Sequence, residues 1–328
     1  MIELSVVIVN YRGWKHLGFC LDALLSFGAN RFHFEVIVVD NCSNDGQLEN
    51  FRGKYTGFLF LENSGNNGFS NACNLGAATS KGEWLLFLNP DIIATEAAIF
   101  YLLQTMRNRP GIAILSCRQK NSNGREERPY GLFPSLFTLN GTTRAIYRKI
   151  KRKEFANRFS SQKELIYPDW VSGSVIMISK QRFEQLGGWN ENYWLYYEDV
   201  DLCRRAVING GKVALNNRVT IIHNHGGATR ISPRTAALTK AEVIISKHVY
   251  LSQHFNRTHA ALLHLFVIIN TLTIGTVTAF PGLFLFFITR LNIATRVYFR
   301  LIAYYLMVPV NASWLSPRSI TMKEKKSH

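Results

Sequence analysis

The chain has 328 residues, 47% hydrophobic and 18% charged, which is ample for a packed core and excludes global disorder. Lys and Arg number 38 against 22 Asp and Glu, a formal charge of +16, so a negatively charged partner or surface is expected. Five scattered cysteines (Cys20, Cys42, Cys73, Cys117, Cys203) form no C-x-x-C pair, which argues against a disulfide framework or zinc site and for a reducing compartment. The first apolar run, Leu4–Val9, is too short for a signal peptide and follows Glu3 rather than basic residues. It reads instead as a buried strand, as do Val36–Val39, Phe58–Leu61 and Trp84–Leu88. Between them, 15–28, 70–80 and 94–107 read as helices. Such alternation predicts an α/β fold with a mostly parallel sheet covered on both faces, and ligand-binding residues directly after each strand.

From Arg118 to Lys163, 12 Lys and Arg face three Glu, with Pro129 and Pro134 between them. Residues 118–168 therefore read as a basic excursion over the surface. Sheet-like sequence resumes at Val171–Ser179, a helix follows near 181–187, and another starts near Glu198. A catalytic domain over 1–230 and a helical C-terminal region over 231–328 are expected. In the latter, 258–289 is a run of 32 residues without Asp, Glu, Lys or Arg, and 301–317 is a second run of 17. A bilayer-spanning helix needs about 20 such residues. Membrane association is expected of both, either as a spanning hairpin or as shallow segments with the first run broken at Pro281.

The strand ends carry the informative residues: Asn10-Tyr11-Arg12, Asp40 to Gly46, Glu62 to Ala72, and Asn89-Pro90-Asp91. Each alone is ordinary turn chemistry. Four at one sheet edge set carboxylates, amides and a helix N-terminus where a nucleotide can lie. No G-x-G-x-x-G follows a strand, and no P-loop is present.

The runs "SVVIVNYRGWKHLGFCLDAL", "EVIVVDNCSNDG", "NSGNNGFSNACNLGAA", "WLLFLNPDI", "VSGSVIMISKQRFEQLGGWNENYWLYYEDVDLCRRAVINGGKV" and "IIHNHGGATR" resemble family-2 glycosyltransferases of the GT-A fold, in their bacterial rhamnosyltransferase-like branch. The resemblance covers about residues 3–230. It implies an inverting transferase with a nucleotide-diphosphate sugar donor and a divalent cation, Mg2+ or Mn2+. Asn10, Tyr11, Asp40, Asn67 and Gly68 then border the nucleotide, and Gly173 and Ser174 the donor sugar. Asp91 ends the metal motif, which here is Asn89-Pro90-Asp91 rather than the Asp-x-Asp of many relatives. Glu198 and Asp199 match the acidic motif that supplies the base, and His223 or His225 a histidine of the metal shell. The implied donor is dTDP-rhamnose. The implied acceptor is a saccharide or polyprenyl-pyrophosphate-linked saccharide, at the cytoplasmic face of a bacterial inner membrane.

Spacing separates the carboxylates further. On a helix Asp201 meets Arg204 and Arg205 at i+3 and i+4, whereas Asp199 meets Leu202 and Cys203. Asp199 is therefore the preferred base, with Glu198 next. His223 and His225 share a face if the segment is extended. Trp189, Tyr193, Trp194, Tyr196 and Tyr197 could stack on acceptor sugars or fill the core.

Arg144, Arg148, Lys149, Lys151, Arg152, Lys153 and Arg158 place seven cations in fifteen residues against Glu154. A nucleic-acid patch is disfavoured because the chain also holds a membrane-length apolar run; lipid headgroups or an acceptor pyrophosphate account for both features. A sugar nucleotidyltransferase is the alternative enzyme, but its Gly-rich, Arg- and Lys-bearing loop after the first strand is missing.

Overall fold

The computed structural model describes residues 2–28, 31–224 and 232–327. It divides into two compact units, Met1–Asn190 with Glu198–Gly227, and Glu191–Tyr197 with Ala228–His328.

The first unit runs β1 (Leu4–Asn10), α1 (Trp14–Leu25), β2 (Phe34–Asp40), α2 (Gln47–Lys54), β3 (Leu59–Glu62), α3 (Phe69–Thr79), β4 (Trp84–Leu88), β5 (Ile92–Ile93), α4 (Glu96–Arg107) and β6 (Ile112–Lys120). It continues with β7 (Tyr130–Gly131), α5 (Gly141–Ile150), α6 (Arg152–Arg158), β8 (Leu165–Ile166), β9 (Trp170–Val171), β10 (Val175–Ser179), α7 (Lys180–Gln185), α8 (Glu198–Ile208) and β11 (Lys212–His223). The main sheet has the order β3-β2-β1-β4-β10-β6-β11-β5, with β8 also on β11. β1 to β4 are mutually parallel where they pair, β10 is antiparallel to β4, and β11 is parallel to β6.

Every residue of β1 is buried, as a strand covered on both faces requires. Leu4, Val6 and Ile8 pack with Leu17, Leu21 and Leu24 of α1 and with Ile99 and Leu102 of α4. Val7 and Val9 pack on the other face with Ala72, Cys73 and Ala77 of α3 and Leu202 of α8. Gly76 makes that second layer close: a Cβ there would lie 2.5 Å from Val7 Cγ1. Gly76→Val is expected to cost about 1–3 kcal/mol by overpacking. A thermal melt checks this, and an unchanged midpoint contradicts it.

The four expected strands form, but the sheet is larger. β6 continues through Arg118, Gln119 and Lys120, so the basic excursion begins only after the strand. α2 was not expected. Its segment is short and polar, with one buried residue, Leu48.

The second unit contains α9 (Pro233–His254), α10 (Arg257–Phe284), α11 (Thr289–Asn311) and α12 (Ile320–Ser327). Residues 191–197 belong to it: Tyr193 is buried with its hydroxyl 3.1 Å from Gln253 Oε1, and Ser246 donates to the Leu195 carbonyl at 2.8 Å. His248 Nδ1 lies 2.7 Å from His264 Nδ1, and Trp314 stacks on both rings. α10 continues past Pro281 and ends at Phe284, inside the first apolar run, and α11 begins at Thr289 and carries Arg290, Arg296 and Arg300 ahead of the second run. Both α10 and α11 are long and apolar enough to cross a membrane.

Candidate active site

The carboxyl ends of β1 to β4 meet at one edge. β1 pairs with β2 on one side and β4 on the other, while the chain reaches β4 only from β3; the strand order therefore reverses beside β1. Crevices at such points bind ligands. Asn10 and Asp40 are register partners at the strand ends. Asn10 Nδ2 donates to Asp40 Oδ1 at 3.2 Å, and Asn10 Oδ1 accepts from Gly13 N at 3.1 Å. Asp40 also accepts from the backbone and hydroxyl of Ser43, and Ser43 Oγ accepts from Arg12 N. These bonds stitch the loops after β1 and β2 together. Tyr11 is half-buried under the Arg12 guanidinium, 5.4 Å from its ring centroid.

An asparagine network holds the next loop. Asn63 Nδ2 reaches Asn41 Oδ1 and Asn71 Oδ1 at 3.0 and 2.9 Å, and Asn41 Nδ2 donates to the Gly68 carbonyl at 3.2 Å. Asn67 is buried, and Gly68, with φ +99°, opens α3 in a conformation L side chains rarely adopt.

The second corner is built by strand register. β5 follows Asp91 immediately and pairs with the end of β11, Ile92 opposite His223. His223 Nε2 is thereby set 3.3 Å from Asp91 Oδ1. β6 also pairs with β11 and brings in Gln119, which the sequence reading missed. Gln119 Nε2 donates to Ser174 Oγ at 2.7 Å, so its Oε1 faces His223 Nδ1 at 2.9 Å. The ring is thereby held with Nδ1 toward Gln119 and Nε2 toward Asp91. Glu127 Oε2, also not foreseen, lies 3.3 Å from the same Nδ1. His225 lies outside the described residues.

The third group is Asp199 in the first turn of α8. Its Oδ2 accepts from Gly173 N at 3.0 Å and its Oδ1 from Val200 N at 2.8 Å. Burial raises its carboxyl above the ordinary carboxylate range, with the backbone bonds opposing. Glu198 beside it is buried. Asp201 is held by Arg205 Nε at 2.8 Å, while Arg204 instead covers the Phe133 ring. Tyr196 and Tyr197, just before this helix, both adopt positive φ, 70° and 68°. Two consecutive bulky residues in that region store strain of a kind found at functional sites. Of the aromatic group, Trp189 is core, edge-on to Phe69 and Phe87.

Gly173-Ser174 joins the second and third groups. Gly173 N bonds Asp199, and the Ser174 carbonyl accepts from Asn89 N at 2.9 Å. A half-buried carboxyl with raised pKa and an Asp–His pair thus flank one dipeptide at this sheet edge.

Comparison with known proteins agrees with this geometry. The model of glycosyl transferase family 2 matches residues 5–166, and that of the N-terminal domain of galactosyltransferase matches 154–225. The chain belongs to glycosyl transferase family 2. Among curated relatives it is 28% identical over 230 residues to the low-salt glycan biosynthesis hexosyltransferase of Haloferax volcanii, covering 68% of this chain and 67% of that protein. To the N-acetylglucosaminyl-diphospho-decaprenol L-rhamnosyltransferase of Mycobacterium tuberculosis it is 28% identical over 247 residues, covering 70% and 78%. The rhamnosyltransferase WbbL of Escherichia coli is 25% identical over 217 residues, covering 62% and 77%. Among solved structures, S. aureus TarS in complex with UDP-GlcNAc superposes with a TM-score of 0.50 at 17% identity, covering 81% of this chain and 72% of that one. A GalNAc-T protein with UDP, GalNAc and Mn2+ gives 0.55 at 16% identity, covering 81% and 54%. The chain is a glycosyltransferase of the GT-A fold.

Proposed function

We propose that this glycosyltransferase transfers a sugar with inversion from a nucleotide-diphosphate donor, dTDP-rhamnose, to a polyprenyl-pyrophosphate-linked saccharide at the cytoplasmic face of a bacterial membrane. The carrying observation is the Gly173-Ser174 bridge between Asp199 and Asn89-Pro90-Asp91. The rhamnosyltransferase relatives support the donor, and the name of the mycobacterial relative supports a lipid-linked acceptor.

Asn10, Tyr11, Asp40, Asn67 and Gly68 form the wall for the nucleotide, with Asp40 and Asn10 acting through the loops they fasten. Asn89, Gly173 and Ser174 border the donor sugar. Asp199 takes the acceptor hydroxyl proton as that oxygen attacks opposite the diphosphate; its raised pKa makes it a stronger base than an ordinary carboxylate. Glu198 is the alternative base.

The residues fit a divalent cation. Among the described residues Asp91 Oδ1 is buried without a hydrogen-bond partner, and His223 Nε2 lies 3.3 Å from it. A buried carboxylate oxygen left unpaired beside an imidazole nitrogen is a donor pair of the kind a divalent cation takes. Among the described residues no three His, Cys, Asp or Glu form an ion site alone. Two protein donors plus donor phosphates suit Mg2+ or Mn2+. When bound, the cation offsets charge on the leaving diphosphate.

The purified protein should release nucleoside diphosphate from dTDP-rhamnose only when the lipid-linked saccharide is added. Release of a triphosphate on adding pyrophosphate instead would identify a nucleotidyltransferase.

The hairpin of α10 and α11 is the membrane element of this reading. Its tip, Phe284 to Ile288, is wholly apolar and exposed. On α11, Phe299, Leu306 and Val310 are exposed on one face, with Arg296 and Arg300 about 60–100° around the helix from it. Such a helix lies in the interface with cations at headgroup level. Full-length protein should pellet with membranes and need detergent for release. A cysteine at Phe287→Cys should resist an impermeant maleimide from both sides of sealed inverted vesicles. Labelling from the lumen would establish a spanning hairpin instead.

A further inference from the structure

We propose that α5, in the catalytic unit, is a second membrane-contact element that rests on an anionic bilayer surface. The proposal goes beyond the reading above and needs neither its donor nor its tail hairpin.

At about 100° per residue, α5 places Thr143, Ile146, Tyr147 and Ile150 on one side and Arg144, Arg148 and Lys149 on the other. Neither α5 nor α6 has a buried residue. Ile146 is 56% exposed and Ile150 74%. Leu136 and Phe137, in the preceding loop, are about as exposed at 49% and 57%. A helix of ten residues is marginal by itself in water, and most helices are stabilised by packing an apolar face. This face is open along Ile146 and Ile150.

The helix is nevertheless pinned. Tyr147 stacks on Phe137 at 5.6 Å and meets Phe155 edge-on at 5.8 Å. Phe155 stacks on Phe159, which lies against Tyr130 of β7. This ladder holds one flank of α5 and leaves the isoleucines outward.

Charge selects the occupant. Of the seven cations from Arg144 to Arg158, Lys151 pairs with Glu154 and Arg158 with Asp169. Arg128 lies over the rings of Tyr130 and Phe159, and Arg148 is crowded by Arg128 and Arg144. An open apolar stripe bordered by this excess of cations fits a surface that offers acyl chains beneath anionic headgroups. A groove on a partner protein that is both apolar and acidic is the competing occupant.

The test is hydrogen exchange on the full chain in detergent, in phosphatidylcholine nanodiscs and in nanodiscs containing phosphatidylglycerol. Amides of 141–158 should exchange several-fold more slowly in the anionic discs than in the other two. Ile146→Glu with Ile150→Glu should remove that protection and leave exchange in 257–311 and the thermal midpoint unchanged. Equal exchange in all three media overturns the proposal, and so does protection that survives the double substitution. Failure of the glycosyltransferase reading registers in diphosphate release, which this experiment does not use.

Discussion

Asp199→Asn should lower kcat on the order of 10²- to 10⁴-fold, the usual share of a positioned general base, with donor affinity nearly unchanged. Single-turnover kinetics and donor titration separate the two effects. The pH profile gives a second reading. Burial raises the Asp199 carboxyl, and once protonated it cannot accept the acceptor proton. The acid limb of kcat/KM should therefore lie above the ordinary range of about 4 for Asp, and Asp199→Asn should abolish it. The linkage runs the opposite way for stability. A carboxyl with a raised folded pKa contributes stability below its unfolded pKa and loses it as pH rises through the folded value. The site thus becomes competent over the same interval in which this contribution is lost. Asp201→Asn is the control. It leaves Arg205 without its carboxylate, so the thermal midpoint should fall while turnover per folded molecule stays near normal. If Asp199→Asn turns over normally and folded Asp201→Asn does not, the base is misassigned.

Asp91→Asn should cost turnover on the order of 10²- to 10³-fold, because charge stabilisation by a cation contributes several kcal/mol at about 1.4 kcal/mol per decade. It should also weaken Mn2+ binding, measured by electron paramagnetic resonance in the presence of nucleoside diphosphate. Chelation should silence the unmodified enzyme, with recovery on adding Mg2+ or Mn2+. Full activity in excess EDTA would remove the cation from the reading.

Much of this was legible in the chain. The runs ending at Asn10, Asp40 and Asp91 are short, apolar and followed by loop-forming polar residues; a two-faced parallel sheet requires that pattern, and the strands lie where expected. The Asp201–Arg205 pairing follows from helical spacing and is present. The far side of the sheet was harder to read. β6 ends in Arg118-Gln119-Lys120, which looks like surface until neighbours on both sides bury Gln119. β11 shifts register between Asn216 and Thr220, so its alternation is broken where a strand would be recognised. Gln119 and Glu127 take their places from those non-local pairings. The second apolar run, 301–317, marks only part of α11, because charge ends an apolar run but not a helix that can lay its cations along one flank.

The order of strands also governs how the protein is made. Among the described strands β6 pairs with β10 and β11, whose residues begin 55 and 92 positions after its end at Lys120 (175 − 120 and 212 − 120). Among the described strands β5 pairs with β11. On the ribosome, at roughly 5–20 residues per second, β6 waits several seconds for its strand partners after it emerges, with a local bridge from Lys120 to Glu126 at its end. A nascent chain of this kind is open to misassociation during that interval, and holding chaperones should engage it there. His223 joins Asp91 only when β11 has slotted between two strands made long before it. The Asp91–His223 corner is therefore the last part of the catalytic unit to be completed during synthesis.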